Sequence, residues 1–194
     1  MTDEMKKGKL VIVSGPSGVG KSTICDRVIK ALDAFLSVSA TTRFKGANEV
    51  DGQNYWYLTG EEFQDRIKRG EFLEYAEVYG NYYGTPKPPV LEALHQGRTV
   101  ILEIDVQGGL QVQKQIPEAI MVFILPPRKE VLEERINGRG RGEDSAAKQR
   151  RLDTASREIA QAWQHYDHLI VNDNLDQAVK EVIDAIDGKI EEKI

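Results

Sequence analysis

KLVIVSGPSGVGKST, residues Lys9 to Thr23, decides how the rest of this chain folds. Leu10 to Val13 is a continuous, mostly β-branched apolar run of strand length, suited to a strand covered on both faces in a parallel sheet. The turn after it fits G-x-x-x-x-G-K-[ST] through Gly15, Pro16, Ser17, Gly18, Val19, Gly20, Lys21 and Ser22. Beyond Thr23, the residues Ile24, Val28, Ala31 and Leu32 recur at helical spacing. The motif therefore lies between a strand and a helix, the context that gives it meaning as a P-loop. Glycines let backbone N–H groups wrap an anion, and the start of a helix adds a favourable dipole. In such a loop Lys21 reaches the β- and γ-phosphates of a nucleotide, and the Ser22 hydroxyl ligates magnesium. A turn that only joins strand to helix does not need all eight positions.

Three further runs share the buried-strand character: TVILEID (99–105), AIMVFIL (119–125) and HLIVND (168–173). Helical spacing falls between or after them, from Val131 to Ile136, from about Ser145 to Gln164, and from Leu175 to Ile186. The economical reading is an α/β fold, a parallel sheet with crossover helices on both faces. Residues 39 to 85 interrupt this rhythm. TTRFKGANEVDGQNYWYLT turns from polar to aromatic and alternating, which predicts a small antiparallel ribbon. EEFQDRIKRGEFLEYAEV predicts a short helix ending near Gly70 and then a strand. Pro86, Pro88 and Pro89 admit at most a helix that starts there. NGRGRGEDS (137–145) is a second irregular stretch.

Composition narrows the function classes. A chain of 194 residues, 40% hydrophobic and 29% charged, suits one cored domain with small insertions. A net charge of -5 argues against a nucleic-acid partner. LVIV is too short for a signal sequence or a membrane span, so no membrane partner is expected. With Cys25 as the one cysteine, no internal disulfide can form, and a cytoplasmic, reducing location is the simplest expectation. Cys25 itself reads as a small core hydrophobe. His95, His165 and His168 make no ligand set, and the His165–His168 pair reads as polar surface at a helix end. Monomer and homodimer are both compatible with the sequence.

Taken in order, SGPSGVGKST, VSATTR (38–43), GEFLEYAEVYGNYYGT (70–85), ILEIDVQG (101–108), FILPP (123–127), GRG (138–140) and IVND (170–173) resemble the successive motifs of guanylate kinases over nearly the whole chain. The resemblance implies a P-loop NTPase fold that transfers the γ-phosphoryl of ATP to GMP, giving ADP and GDP, with Mg2+, in purine nucleotide metabolism. It implies a core (about 1–38, 96–127 and 160–194), a mixed β/α GMP-binding insert (about 39–95) and a helical lid (about 128–159). By the same resemblance Gly15 to Thr23 cradle ATP, and Ser39, Arg43, Tyr55 and Tyr83 surround the GMP phosphate. Glu74 with Thr85 reads the base, and Asp105 belongs to the guanine side. Arg135, Arg139 and one of the Arg150–Arg151 pair match lid positions that clamp ATP and the migrating group; by this resemblance Lys21, Arg43, Arg139 and the Arg150–Arg151 pair form the catalytic set, and Arg135 binds ATP. Asn172 and Asp173 match adenine contacts. Glu103 stands where the family commonly has aspartate, a candidate with Ser22 for the magnesium side.

A carboxylate suits guanine because N1–H and the 2-amino group are adjacent donors, whereas adenine turns a lone pair to the same place. A site built on such bonds rejects a base lacking them by up to roughly 10⁴-fold. One departure stands out: the family pattern T-T-R-x-x-R has Gly46 at its second arginine here, and Lys45 is the nearest charge. A lysine is a point charge without the fork of a guanidinium. Other readings of a P-loop are a related small-molecule kinase, a phosphopeptide-binding module without catalysis, and a GTPase switch. Tyr55, Glu74, Tyr83 and Thr85 argue against the first, the intact Lys21–Ser22 and the arginine-bearing lid against the second, and the insert and lid against the third.

Overall fold

The computed structural model describes residues 8–78, 80–138 and 145–190, apart from the side chains of 135–138 and 145–148. Its first half runs β1 (Leu10–Ser14), α1 (Lys21–Leu32), β2 (Phe35–Leu36), β3 (Ala40–Thr41), β4 (Trp56–Tyr57), α2 (Gly60–Lys68), β5 (Phe72–Val78), β6 (Asn81–Pro86) and α3 (Lys87–His95). The second half runs β7 (Val100–Glu103), α4 (Val106–Gln115), β8 (Ile120–Leu125), α5 (Lys129–Gly138), α6 (Ser145–His165), β9 (His168–Val171) and α7 (Leu175–Ile186).

β1 is central in a five-stranded sheet of order β2-β7-β1-β8-β9 in which every pairing is parallel. Its residues alternate between two cores, as strand period requires. Val11 and Val13 pack with Ile24 and Val28 of α1 and Val179 and Val182 of α7. Leu10 and Ile12 pack on the other face with Leu102, Met121, Phe123, Ala162 and Tyr166. Each of these Val, Leu, Ile, Met and Phe side chains, fully buried, contributes about 1.5–3 kcal/mol relative to exposure. The four strands expected from apolar runs are present. β2 was not foreseen, because two half-buried residues at a sheet edge leave no periodic signal.

The interruption folds as a separate sheet of order β4-β3-β6-β5. It is mixed and differs from the antiparallel ribbon expected: β3 pairs with β4 in parallel, Ala40 beside Trp56, while β3–β6 and β5–β6 are antiparallel. The long connection from Thr42 to Tyr55 carries the chain back to the same end, which makes the parallel pairing possible. This sheet has a small core of Ala40, Phe63 and Phe72, with Phe63 stacked on Phe72 at 4.4 Å and on Tyr82 at 5.4 Å. A capping box between Thr59 and Glu62 starts α2, and α3 begins behind Pro86 with prolines in its first turn. α6 runs unbroken past residue 159, where the sequence reading ends the lid.

Cys25 is buried, and burial pushes its thiol well above the ordinary range. His165 is exposed at the end of α6, but His168 opens β9 and is buried, so the pair is not one polar surface. β9 pairs with β8 along its whole length, which draws His168 inward. Among the described residues no helix is long and apolar enough to cross a membrane, and no cluster of His, Cys, Asp and Glu could hold a metal by itself.

Candidate active site

The P-loop is braced by a hydrogen bond from a neighbouring segment, and α1 starts without a side-chain cap. Gly20 starts α1 at φ 103°, and no side chain caps the helix there. The Asn172 amide donates to the Val19 carbonyl at 2.8 Å, and a Cβ on Gly20 would stand 2.6 Å from that amide nitrogen. Glycine at position 20 thus serves both the left-handed turn and the close approach of Asn172. Asn172 is buried and committed to the loop, while its neighbour Asp173 is exposed. Gly15 and Pro16 are buried, and Ser17 and Thr23 are exposed. The Lys21 ammonium donates to the carbonyls of Gly15 at 2.6 Å and Pro16 at 3.2 Å. These bonds curl the lysine over the same cradle that a phosphate chain would fill.

Sheet register brings the second strand to this loop. Val13 is paired with Glu103, so the carboxyl ends of β1 and β7 lie side by side. The Ser22 hydroxyl donates to Glu103 Oε1 at 2.7 Å. Tyr166 donates to Ser14 Oγ at 2.7 Å, and Ser14 donates to the Ile104 carbonyl at 2.8 Å, which ties the segment after β7 to β1. Asp105 then caps α4, its Oδ1 accepting from the Gly108 amide at 2.8 Å.

Glu103 and Asp105 also line a pocket of about 250 Å³ whose remaining polar wall is Ser39, Tyr55, Glu74 and Tyr83. Glu74 is 7% exposed and accepts a hydrogen bond from the Thr85 hydroxyl at 2.6 Å. Burial pushes its carboxyl up to about 7; the Thr85 bond acts in the opposite direction, and nearby Asp105 adds to the rise. Gly108 is needed behind it, since a Cβ there would meet Glu74 Oε2 at 2.9 Å. Tyr55 and Tyr83 meet edge to face at 5.9 Å, and burial raises the Tyr55 hydroxyl. The Arg43 guanidinium stands 5.5 Å over the Tyr55 ring and 5.9 Å over that of Tyr57. Lys45 is exposed on the same loop.

Of the two adjacent arginines in the expected lid, Arg151 donates to Ser17 Oγ at 2.8 Å across to the P-loop, whereas Arg150 is exposed. The side chain of Arg135 and all of Arg139 lie outside the described residues. Two acidic residues near the site had not been singled out. Glu49 forms a two-pronged pair with Arg43, at 2.7 and 3.0 Å. Glu158, on α6, has its carboxyl pushed up to about 7 by burial, with Lys21 pulling it down and Asp105 raising it further. Glu49 sits in a loop without periodicity, and Glu158 among the many charged residues of α6, so neither carries a signal of its own.

The family model "Guanylate kinase" matches residues 7–189. A guanylate kinase of Carboxydothermus hydrogenoformans is 51% identical over 92% of this chain and 87% of its own length. One from Synechocystis is 49% identical over 93% of this chain and 94% of its own. Among solved structures, the guanylate kinase of Anaplasma phagocytophilum superposes with a TM-score of 0.75 at 27% identity, covering 95% of this chain and 87% of that one. A gluconokinase from Sinorhizobium meliloti, at TM-score 0.53 and 15% identity, shares the fold alone. With the P-loop, the carboxylate at the end of β7 and the pocket of the second sheet in one continuous site, the chain belongs to the guanylate kinase family.

Proposed function

We propose that this protein transfers the γ-phosphoryl of ATP to GMP. The observation that carries the reading is Glu103, which accepts from Ser22 of the P-loop and also lines the pocket holding Glu74, Tyr55 and Tyr83. An ATP chain in the loop and a nucleoside monophosphate in the pocket would meet at that residue. Transfer of a phosphoryl group asks mainly for positioning and charge neutralisation.

On the ATP side, Gly15 to Thr23 cradle the phosphates, and Lys21 moves from its own loop carbonyls to the β- and γ-oxygens. Arg151 reaches Ser17 and with Arg135 and Arg139 gathers charge over the migrating group; Arg150 is the alternative member of its pair. Asp173 faces the adenine side, and Asn172 supports the loop that carries the phosphates. On the GMP side, Ser39, Arg43, Lys45, Tyr55 and Tyr83 hold the acceptor phosphate. Glu74 accepts from N1–H and the 2-amino group, Thr85 orients that carboxylate, and Asp105 closes the guanine end.

The Ser22 hydroxyl and Glu103 carboxylate are adjacent hard oxygens, which fits Mg2+, an ion usually held by one or two protein oxygens with substrate phosphates completing its shell. Bound there, the ion would neutralise charge on the transferring phosphates. A related small-molecule kinase and a phosphopeptide module account less well for a buried carboxylate paired with a hydroxyl in the acceptor pocket. A coupled assay of ADP formation with ATP and GMP, AMP, CMP, UMP or dGMP tests the proposal. GMP is expected to lead, and turnover independent of the base would reject it.

A further inference from the structure

We propose that Glu49 is a positioning residue that presents Arg43 to the acceptor phosphate, an inference that rests on the reading of Arg43 as a phosphate-binding residue. The geometry of the guanidinium carries it. Arg43 Nη1 donates to the Phe44 carbonyl at 2.9 Å and to Glu49 Oε2 at 3.0 Å, and Nη2 donates to Glu49 Oε1 at 2.7 Å. A guanidinium has five N–H groups in a rigid planar fork. Glu49 therefore takes the end of the fork. Glu49 leaves the side of the fork, the Nε–H and the second Nη2–H, to match two oxygens of a phosphate, with the Tyr57 hydroxyl beside the Arg43–Glu49 pair.

Glu49 also fixes the loop on which it acts. Its Oε2 accepts from the Gly46 amide at 2.6 Å, and its own amide donates to the Gly46 carbonyl at 3.1 Å. The segment from Arg43 to Glu49 is thereby closed on itself, with the guanidinium packed over Tyr55, a wall of the acceptor pocket. The Arg43 pair and the Gly46 amide hold the Glu49 carboxyl down to about 2, so it is ionised at every pH at which the protein would be assayed. Gly46 stands where the family pattern has a second arginine, so a single guanidinium serves this phosphate, and its orientation matters more. The same contact bears on any attempt to restore that arginine. A Cβ at Gly46 would lie 3.0 Å from Glu49 Oε2, so Gly46→Arg presses on the group that holds Arg43.

Charge alone predicts the opposite sign. A carboxylate near a dianionic phosphate repels it, and removing the carboxylate would then tighten GMP binding. The experiment is a mutant cycle of Glu49→Gln, Arg43→Ala and the double variant, read by GMP titration calorimetry and by KM for GMP and ATP. The expected result is a loss of GMP affinity of about tenfold or more in Glu49→Gln, with KM for ATP within about twofold of the parent protein. In the Arg43→Ala background the Glu49 change should have little further effect. Unchanged or tighter GMP binding in Glu49→Gln, an equal rise in KM for ATP, or a full Glu49 effect that persists without Arg43 would each overturn the proposal. If Arg43→Ala leaves GMP binding intact, the phosphate role of Arg43 falls and the proposal with it. A large Arg43 effect beside a silent Glu49 sinks the proposal alone.

Discussion

The two nucleotide sites proposed for this molecule are built by opposite means. On the ATP side a backbone loop is set between a fully buried central strand and α1, with cores on both faces of a five-stranded sheet behind it. On the proposed GMP side a four-stranded sheet with a core of Ala40, Phe63 and Phe72 carries a wall of Tyr55, Glu74 and Tyr83, with Thr85 bonded to Glu74 behind it. One site depends on glycines and a helix start, which recognise any polyphosphate. The other depends on a few polar groups held at fixed distances, which can tell one base from another. The proposal thus places specificity on the sheet with the smaller core.

That contrast can be broken first at Phe63, which is fully buried and stacked on two rings. Phe63→Ala should cost about 3–5 kcal/mol, concentrated in the small sheet. GMP binding should fail while ATP binding and the melting of the larger sheet persist; equal loss of both ligands would show that the regions do not separate. Next comes Lys21→Ala, expected to lower kcat by about 10²- to 10³-fold with little change in Tm or in GMP affinity. Steady-state kinetics with a thermal melt distinguishes this from misfolding. Asn172→Ala removes a buried donor from the Val19 carbonyl and should destabilise by about 1–3 kcal/mol, raising KM for ATP more than KM for GMP. A pure adenine contact would raise KM for ATP without lowering Tm.

The smallest effect is one of pH. Burial raises the Glu74 carboxyl, so its ionised form is disfavoured in the folded, empty protein, and this penalty grows as pH rises from the unfolded value toward about 7. Guanine donors favour the carboxylate, so KM for GMP should fall by about tenfold between pH 6 and pH 8, with proton release on binding near pH 7. Glu74→Gln should flatten that profile, leaving only the titration of the GMP phosphate itself. Glu49, held down to about 2, contributes nothing in this window.

Much of this was legible in the sequence because the ATP side is contiguous. Strand, glycine turn and helix stand together in Leu10 to Leu32, and the apolar runs at 99–105, 119–125 and 168–173 supply three of the other four strands in β1's sheet. The GMP side is scattered from Ser39 to Asp105, and no periodicity joins Tyr55 to Glu74; only the resemblance to a family named those residues together. Its pairing was misjudged for the same reason, since β3 and β4 have two residues each and a long loop decides their direction. Glu49 and Glu158 were missed because their neighbours are set by folding rather than by sequence spacing. Asn172 was read from the motif IVND as an adenine contact, and its bond to Val19 needs the sheet to exist before it has a meaning.

The central claim is that a buried carboxylate in the small sheet chooses the base. It is tested most directly by the ratio of kcat/KM for GMP to that for AMP, measured for the parent protein and for Glu74→Gln. The amide offers one acceptor where the carboxylate offers two, so the ratio should fall by about a hundredfold, chiefly through lost GMP affinity, while KM for ATP stays near its original value. An unchanged ratio in a folded Glu74→Gln protein would contradict the account and move the choice of base away from Glu74.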